Sequence, residues 1–136
     1  ITTDLIVGFP GETEDEFQQT LDFIQKCGFA AMHIFPYSRR PGTPAAKMPG
    51  QVPNATKEDR AHRAAEIAQS MEHAYLDSFV DQTVPVLFEE ERDGVWLGHT
   101  TRYCQVGVTS TDPLHNQLRQ VRLTGREGSQ LTGELV

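Results

Sequence analysis

Between residues 4 and 38 the chain holds a strand signal, a capped helix signal and a second strand signal in about 35 residues. That succession limits the fold more than any other feature. After Asp4, residues 5–9 read "LIVGF", a continuous apolar run of the kind a strand buried on both faces shows. The segment "TEDEFQQTLDFIQKCG" follows. Thr13 and Glu16 stand at capping-box spacing, which satisfies free N–H groups at a helix start. Glu14, Asp15 and Glu16 complement the positive end of the helix dipole, and Lys26 the negative end. Phe17, Leu21 and Ile24 share one helical face for the core, and Gly28 stands where a helix stops. "FAAMHIFPYS" then reads as the second strand. Two strands joined through a helix pair in parallel, because the crossover returns the chain to its starting end.

Residues 39–54, "RRPGTPAAKMPGQVPN", are rich in proline and glycine and read as a long irregular loop. A second helix is expected from near Thr56, with Asp59 as its box partner. Its stripe Ala64, Ile67, Ala68, Met71 and Tyr75 runs to about Phe79. Around Val80 the apolar period changes from helical to alternating. "TVPVLFE" alternates, "ERDGVW" carries an Asp-Gly hairpin signal, and "YCQVGV", "QVRLTG" and "QLTGEL" follow at short intervals. The fold class expected is α/β followed by all-β. A first domain covers 1–73, and a small antiparallel OB-type barrel covers 74–136.

The turn "GFPGE" at residues 8–12 raises the question of a ligand. A phosphate loop needs several backbone N–H donors and usually a following Lys-Ser/Thr pair. Pro10 removes one donor, and Glu12, Glu14, Asp15 and Glu16 would repel a pyrophosphate. Two readings stay open. One is a tight connection that binds nothing. The other is backbone and Phe9 lying beside an uncharged flat group, such as an adenine, at the carboxyl end of a parallel strand.

Charge and cysteines narrow the classes further. The net charge is −7, with acids exceeding bases both in residues 1–72 and in 73–136, which counts against a purely electrostatic RNA clamp, although local basic patches survive in acidic proteins. Cys27 and Cys104 form no CxxC or three-cysteine cluster, so these residues hold neither an iron–sulfur cluster nor a structural zinc. No metal ligand and no catalytic residue is assigned. The five histidines show no ligand spacing, and His33 is expected to pack within its strand. No apolar run is long enough to cross a membrane, and a cytoplasmic location is expected.

"TDLIVGFPGETEDEF", followed by "HIFPYSRRPGTPAAKMPGQVP", resembles the last strands of the radical S-adenosylmethionine barrel in the methylthiotransferase family. "VLFEEERDGVWLGHTTRYCQVGV" and "VRLTG" resemble that family's TRAM domain, an OB-like RNA-binding module. The resemblance covers essentially the whole chain. "MHIFPYSRRPGTPAA" is most similar to the branch that acts on N6-threonylcarbamoyladenosine in tRNA, rather than the isopentenyladenosine or ribosomal-protein branches.

The resemblance implies a parent enzyme that uses S-adenosylmethionine and two [4Fe–4S] clusters to add a methylthio group at C2 of the modified adenine at position 37, in the anticodon loop. The family's CxxxCxxC motif is not among these residues. The chain opens on Ile1 without an initiator Met, so it is expected to be the carboxyl-terminal part of a longer protein and inactive alone. Strands left from a larger barrel are expected to expose aggregation-prone edges.

For the cofactor, the resemblance points to Gly8, Phe9, Pro10, Gly11, Glu12 and Arg40, the last being the arginine of the Ser-x-Arg-x-Gly-Thr pattern. Tyr37, Ser38 and Thr43 are expected at the rim, and Arg39 in solvent. For RNA it points to Arg102, Tyr103, Arg119, Arg122 and Arg126, since guanidinium groups pair with phosphates and aromatic faces stack on unpaired bases. The rival reading is a stand-alone RNA-binding module with the first half as scaffold.

Overall fold

Helix α1 (Glu14–Cys27) starts and stops where local chemistry places it. The Thr13 side chain accepts from Glu16 N, the Glu16 carboxylate accepts from Thr13 N, and Gly28 ends the helix in the left-handed region at φ 64°. These elements belong to a computed structural model that describes all 136 residues. The chain divides into two compact units, Ile1–Glu72 and His73–Val136.

In the first unit, β1 (Thr2–Val7) and β2 (Ala31–Pro36) pair in parallel, with Asp4 opposite His33 and Ile6 opposite Phe35. Helix α2 (Asn54–Asp77) begins two residues before the expected start and contributes its residues to Glu72 here. The core gathers Val7, Phe17, Leu21, Ile24 and Ala64, flanked by Leu5, Met32, Ile34 and Ile67. Only one face of the sheet is covered. Ile6 is 56% and Phe35 51% exposed, so the expectation of a strand buried on both faces is corrected. The strand period of two sends Leu5 and Val7 toward the helices and Asp4 and Ile6 the other way, where no second layer lies. His33 shares that open face, exposed, with Nδ1 3.2 Å from Asp4 Oδ1. It does not pack in a core. The long loop after β2 holds one short 3-10 turn at Ala45–Lys47.

The second unit is a closed barrel of five strands: β3 (Thr83–Arg92), β4 (Val95–Thr100), β5 (Gln105–Thr109), β6 (Leu118–Glu127) and β7 (Gln130–Leu135), in the order β3-β4-β5-β7-β6. The β3–β4 hairpin turns on Asp93 and Gly94, both at positive φ, as the Asp-Gly signal requires. Alternating residues fill the interior: Val86, Phe88, Val106, Val121, Leu123 and Leu131 are fully buried. The sequence-based expectation of a wholly antiparallel barrel is corrected. β5 and β7 run parallel through Val106–Leu131 and Gly107–Thr132. A ring with an odd number of strands cannot alternate direction all the way round, so at least one seam must be parallel. Trp96 is half-buried against the core.

Candidate functional site

The β1–α1 turn is locked from within. Gly8 (φ 74°) and Gly11 (φ 85°) adopt the left-handed region that glycine tolerates. Gly8 also makes room for a helix residue, since a Cβ placed there would clash with Lys57 Cγ and stand 2.9 Å from Lys57 Cδ. Lys57 Nζ in turn donates to Tyr37 O at 2.9 Å. Gly8 N donates to Glu12 Oε1 at 2.9 Å, and Gly11 N donates to Gly50 O at 2.8 Å. With these two donors engaged and Pro10 lacking one, an anion finds little to bind in the turn, in keeping with the exclusion of a phosphate loop.

Glu12 faces inward. Its Oε1 lies 2.8 Å from Arg60 Nη1, which also donates to the Glu12 carbonyl at 3.0 Å. The two side chains are 15% and 6% exposed. Next to this pair, Arg63 binds Glu14 at 2.6 Å and Asp59 at 3.0 Å, with its guanidinium 4.7 Å from the Phe17 ring centroid. The hydrogen bond from Arg63 holds the Glu14 carboxyl below its ordinary value.

What the turn offers outward is aromatic. Phe9, 44% exposed, meets the Tyr37 ring edge-on at 5.5 Å. Tyr37 lines a cavity of about 380 Å³ with Ile6, Phe35, Pro36, Ser38 and Arg40 on the open side of the sheet. That volume falls within the range of small-molecule sites, about 300–1,000 Å³. The Tyr37 hydroxyl is buried without a hydrogen-bond partner. A mostly apolar wall and one guanidinium match the chemistry of the expected ligand, which carries a flat neutral base and a carboxylate. The donor set therefore fits.

Of the six residues expected to hold the cofactor, only Arg40 lines this cavity. Phe9 is joined to it through Tyr37, and Gly8, Gly11 and Glu12 shape and brace the corner. Pro10 is buried there. The Thr43 hydroxyl ties the loop just before the 3-10 turn, accepting from Ala46 N and donating to Arg40 O. Arg39, expected in solvent, is exposed yet donates from Nε to Ala46 O at 2.8 Å. Lys57 and Arg60 are the residues sequence reading missed. Two basic residues one helical turn apart were the only available signal, and nothing in it named their targets.

In the barrel, the five residues expected to meet RNA are not brought onto one face. Arg119 and Arg122 sit three positions apart on β6, so the strand period sends them to opposite sides. Arg122 lies 3.7 Å from Glu134, and Arg119 hydrogen-bonds Gln117 and no carboxylate. Arg126 is engaged with Asp77 at 2.8 and 3.3 Å and with the Gly128 carbonyl. The hydrogen bond from Arg126 holds the Asp77 carboxyl below its ordinary 3.8. A depressed folded pKa stabilises above the unfolded value and is lost as pH falls through the folded one. Thermal midpoints measured from pH 5 to pH 2 should thus fall, and less steeply for Arg126→Ala. Equal slopes would remove the pair's role.

Arg102 and Tyr103 occupy the β4–β5 turn. Tyr103 is 82% exposed and has φ 61°. A bulky residue in that region costs about 1–2 kcal/mol. Thr100 ties the turn, its Oγ1 accepting from Arg102 N and Cys104 N and its carbonyl from Tyr103 N. The Tyr103 ring lies on His99, centroids 4.6 Å apart at 15°. Cys104 is buried, which raises its thiol pKa.

No protein-family model matches the chain. Among curated proteins it is 35% identical over 128 residues to a threonylcarbamoyladenosine tRNA methylthiotransferase of Bacillus subtilis, covering 90% of this chain and 28% of that protein. It is 39% identical over 138 residues to a tRNA-2-methylthio-N(6)-dimethylallyladenosine synthase of Jannaschia, covering 100% and 30%. Against the synthase of the same name from Aquifex aeolicus it is 35% identical over 136 residues, covering 100% and 31%. The chain thus spans about a third of the length of these relatives. A Streptococcus pneumoniae multidomain protein with nucleic-acid-binding domains aligns at TM-score 0.40 and 15% identity, over 44% of this chain and 24% of that one. That likeness is too slight to assign a fold.

Proposed function

The chain belongs, over the residues matched above, to the tRNA methylthiotransferase family, and from that premise we propose that it serves 2-methylthiolation of N6-threonylcarbamoyladenosine at position 37 of tRNA. The observation that supports tRNA methylthiolation in general is the extent of the match, which runs through both units instead of stopping at the linking helix. The first unit is read as the last βα units of a larger radical S-adenosylmethionine barrel. The second is read as a TRAM-type module that orients the anticodon loop. The choice of threonylcarbamoyladenosine rests on "MHIFPYSRRPGTPAA".

When bound, S-adenosylmethionine and the [4Fe–4S] clusters of the whole enzyme supply the radical, the sulfur and the methyl group. The residues in hand bind and orient. Ile6 and Phe35 form an apolar wall, and Arg40 pairs with the carboxylate through its planar fork. The Glu12–Arg60 pair keeps the corner rigid. No cluster ligand comes from Cys27 or Cys104, so this part alone is inactive. The reaction belongs in the cytoplasm, where tRNA is modified. No helix is long and apolar enough to cross a membrane.

Mass spectrometry of tRNA nucleosides from a strain deleted for the gene tests the substrate. The methylthiolated threonylcarbamoyl nucleoside is expected to vanish. Loss of the dimethylallyl counterpart instead would move the protein to the branch of the Jannaschia relative, and no change in either would end the reading. For the cofactor site, Arg40→Gln in the full-length protein should weaken S-adenosylmethionine binding roughly 10- to 100-fold, as losing a charge-assisted hydrogen bond does. Unchanged affinity by calorimetry would return Arg40 to the solvent.

A further inference from the structure

We propose that Tyr103, braced on His99, is a stacking platform for an unpaired nucleobase of single-stranded RNA. The inference deepens the reading of the barrel as an RNA-binding unit and rests on it. Folding has no use for tyrosine at this position. The ring is 82% exposed, and φ 61° would suit glycine or asparagine better. Strain of this kind persists where the surroundings enforce it and where function uses it. Here Thr100 enforces it, with three hydrogen bonds across a turn of few residues. The outcome is a ring presented flat, with one face on His99 and the other open.

The surroundings extend the platform. Leu87 on β3 stands opposite His99 on β4 and opposite Leu118 on β6. Leu118, Leu87, His99 and Tyr103 therefore form a row across the outside of the barrel, with Leu118 66% and Leu87 40% exposed. The row lies over β6, β3 and β4, and Tyr103 directly follows β4, the second strand of the five, which belongs to the strand-two and strand-three face that binds oligonucleotides in such barrels. Charge names the occupant. Arg102, next to the ring, has no carboxylate partner and lies 5.7 Å from the Phe79 ring centroid, leaving a cation where a backbone phosphate would follow a stacked base. Base–aromatic stacking tolerates any sequence, because every base has a π face.

The test titrates the whole chain with a fluorescein-labelled single-stranded RNA heptamer, its duplex, and heptamers carrying one abasic site in turn. Tyr103→Ala should weaken binding about 5- to 100-fold, with the salt slope unchanged, while Tyr103→Phe keeps the affinity. Tyr103→Gly should lose the same affinity yet melt about 4 °C above Tyr103→Ala, because only alanine retains the strain. One abasic position should reproduce the loss. Arg102→Gln should instead reduce the salt slope by about one phosphate. If Tyr103→Ala binds as tightly as the parent while Arg102→Gln does not, the platform is refuted and the RNA reading stands. If the unaltered chain binds no RNA, both fall. If Tyr103→Ala abolishes self-association and spares RNA affinity, the face is a protein contact and the proposal is overturned.

Discussion

Replacing Arg60 with alanine is expected to destabilise the first unit by about 3–5 kcal/mol, the cost of leaving a buried charge without its partner. Arg60 is 5% exposed, and its Nη1 serves both the carboxylate and the carbonyl of Glu12. Without it, the Glu12 carboxylate retains Gly8 N as its remaining donor, in a corner water hardly reaches. Total stabilities of about 5–15 kcal/mol make such a loss decisive. Far-UV circular dichroism under urea reads it, since both helices lie before residue 78. Arg60→Lys should lose less, keeping the charge but not the planar guanidinium whose Nη1 reaches both Glu12 acceptors. Glu12→Gln with Arg60→Met should recover part of the loss, because the pair's worth is a coupling between the two residues. A drop under about 1 kcal/mol in Arg60→Ala would mean that water already reaches the carboxylate.

Gly98→Ala should disable the barrel. Gly98 pairs with Phe88 on β3 and with Val106 on β5. A Cβ there would run into the Leu87 carbonyl oxygen and lie 2.8 Å from Val86 Cγ1 and 2.9 Å from the Leu87 carbonyl carbon. Backbone in a paired strand has nowhere to move, so the methyl group must push β3 off β4. Overpacking costs about 1–3 kcal/mol where side chains can yield and more where they cannot, and about 3 kcal/mol or more is expected here. Trp96, two residues away on β4, reports the change by fluorescence. Gly94→Ala is the control: nothing lies within 4 Å, so its cost is limited to φ 81°, about 1–2 kcal/mol. Equal losses at the two positions would show that β3 and β4 approach less closely than the register requires.

Helix α1 was legible to the residue at both ends because its signals are near neighbours. Thr13 reaches Glu16 within one turn, and Gly28 follows the last apolar position. The Asp93-Gly94 hairpin was legible for the same reason. The sequence singled out the Gly8–Glu12 corner but not the distant residues that brace it. Phe9 and Arg40 stood in recognisable motifs, whereas nothing near Glu12, expected at the cofactor, named Arg60, 48 positions on, as its partner. Seven basic residues lie in residues 1–72, and local spacing ranks none of them as that partner.

What the residue order determined alone, then, is every element whose stability comes from a few consecutive positions: the capped helix, the parallel strand pair it joins, the hairpin turn, and the change of period near Val80. Tertiary structure alone decided the covered face of the β1–β2 sheet, the ion pair that locks the glycine turn, the parallel seam that closes five strands, and the strained ring at Tyr103. Each of these depends on chain segments meeting across tens of residues. Burial, low dielectric and steric closure then select one partner among many that the sequence leaves equivalent.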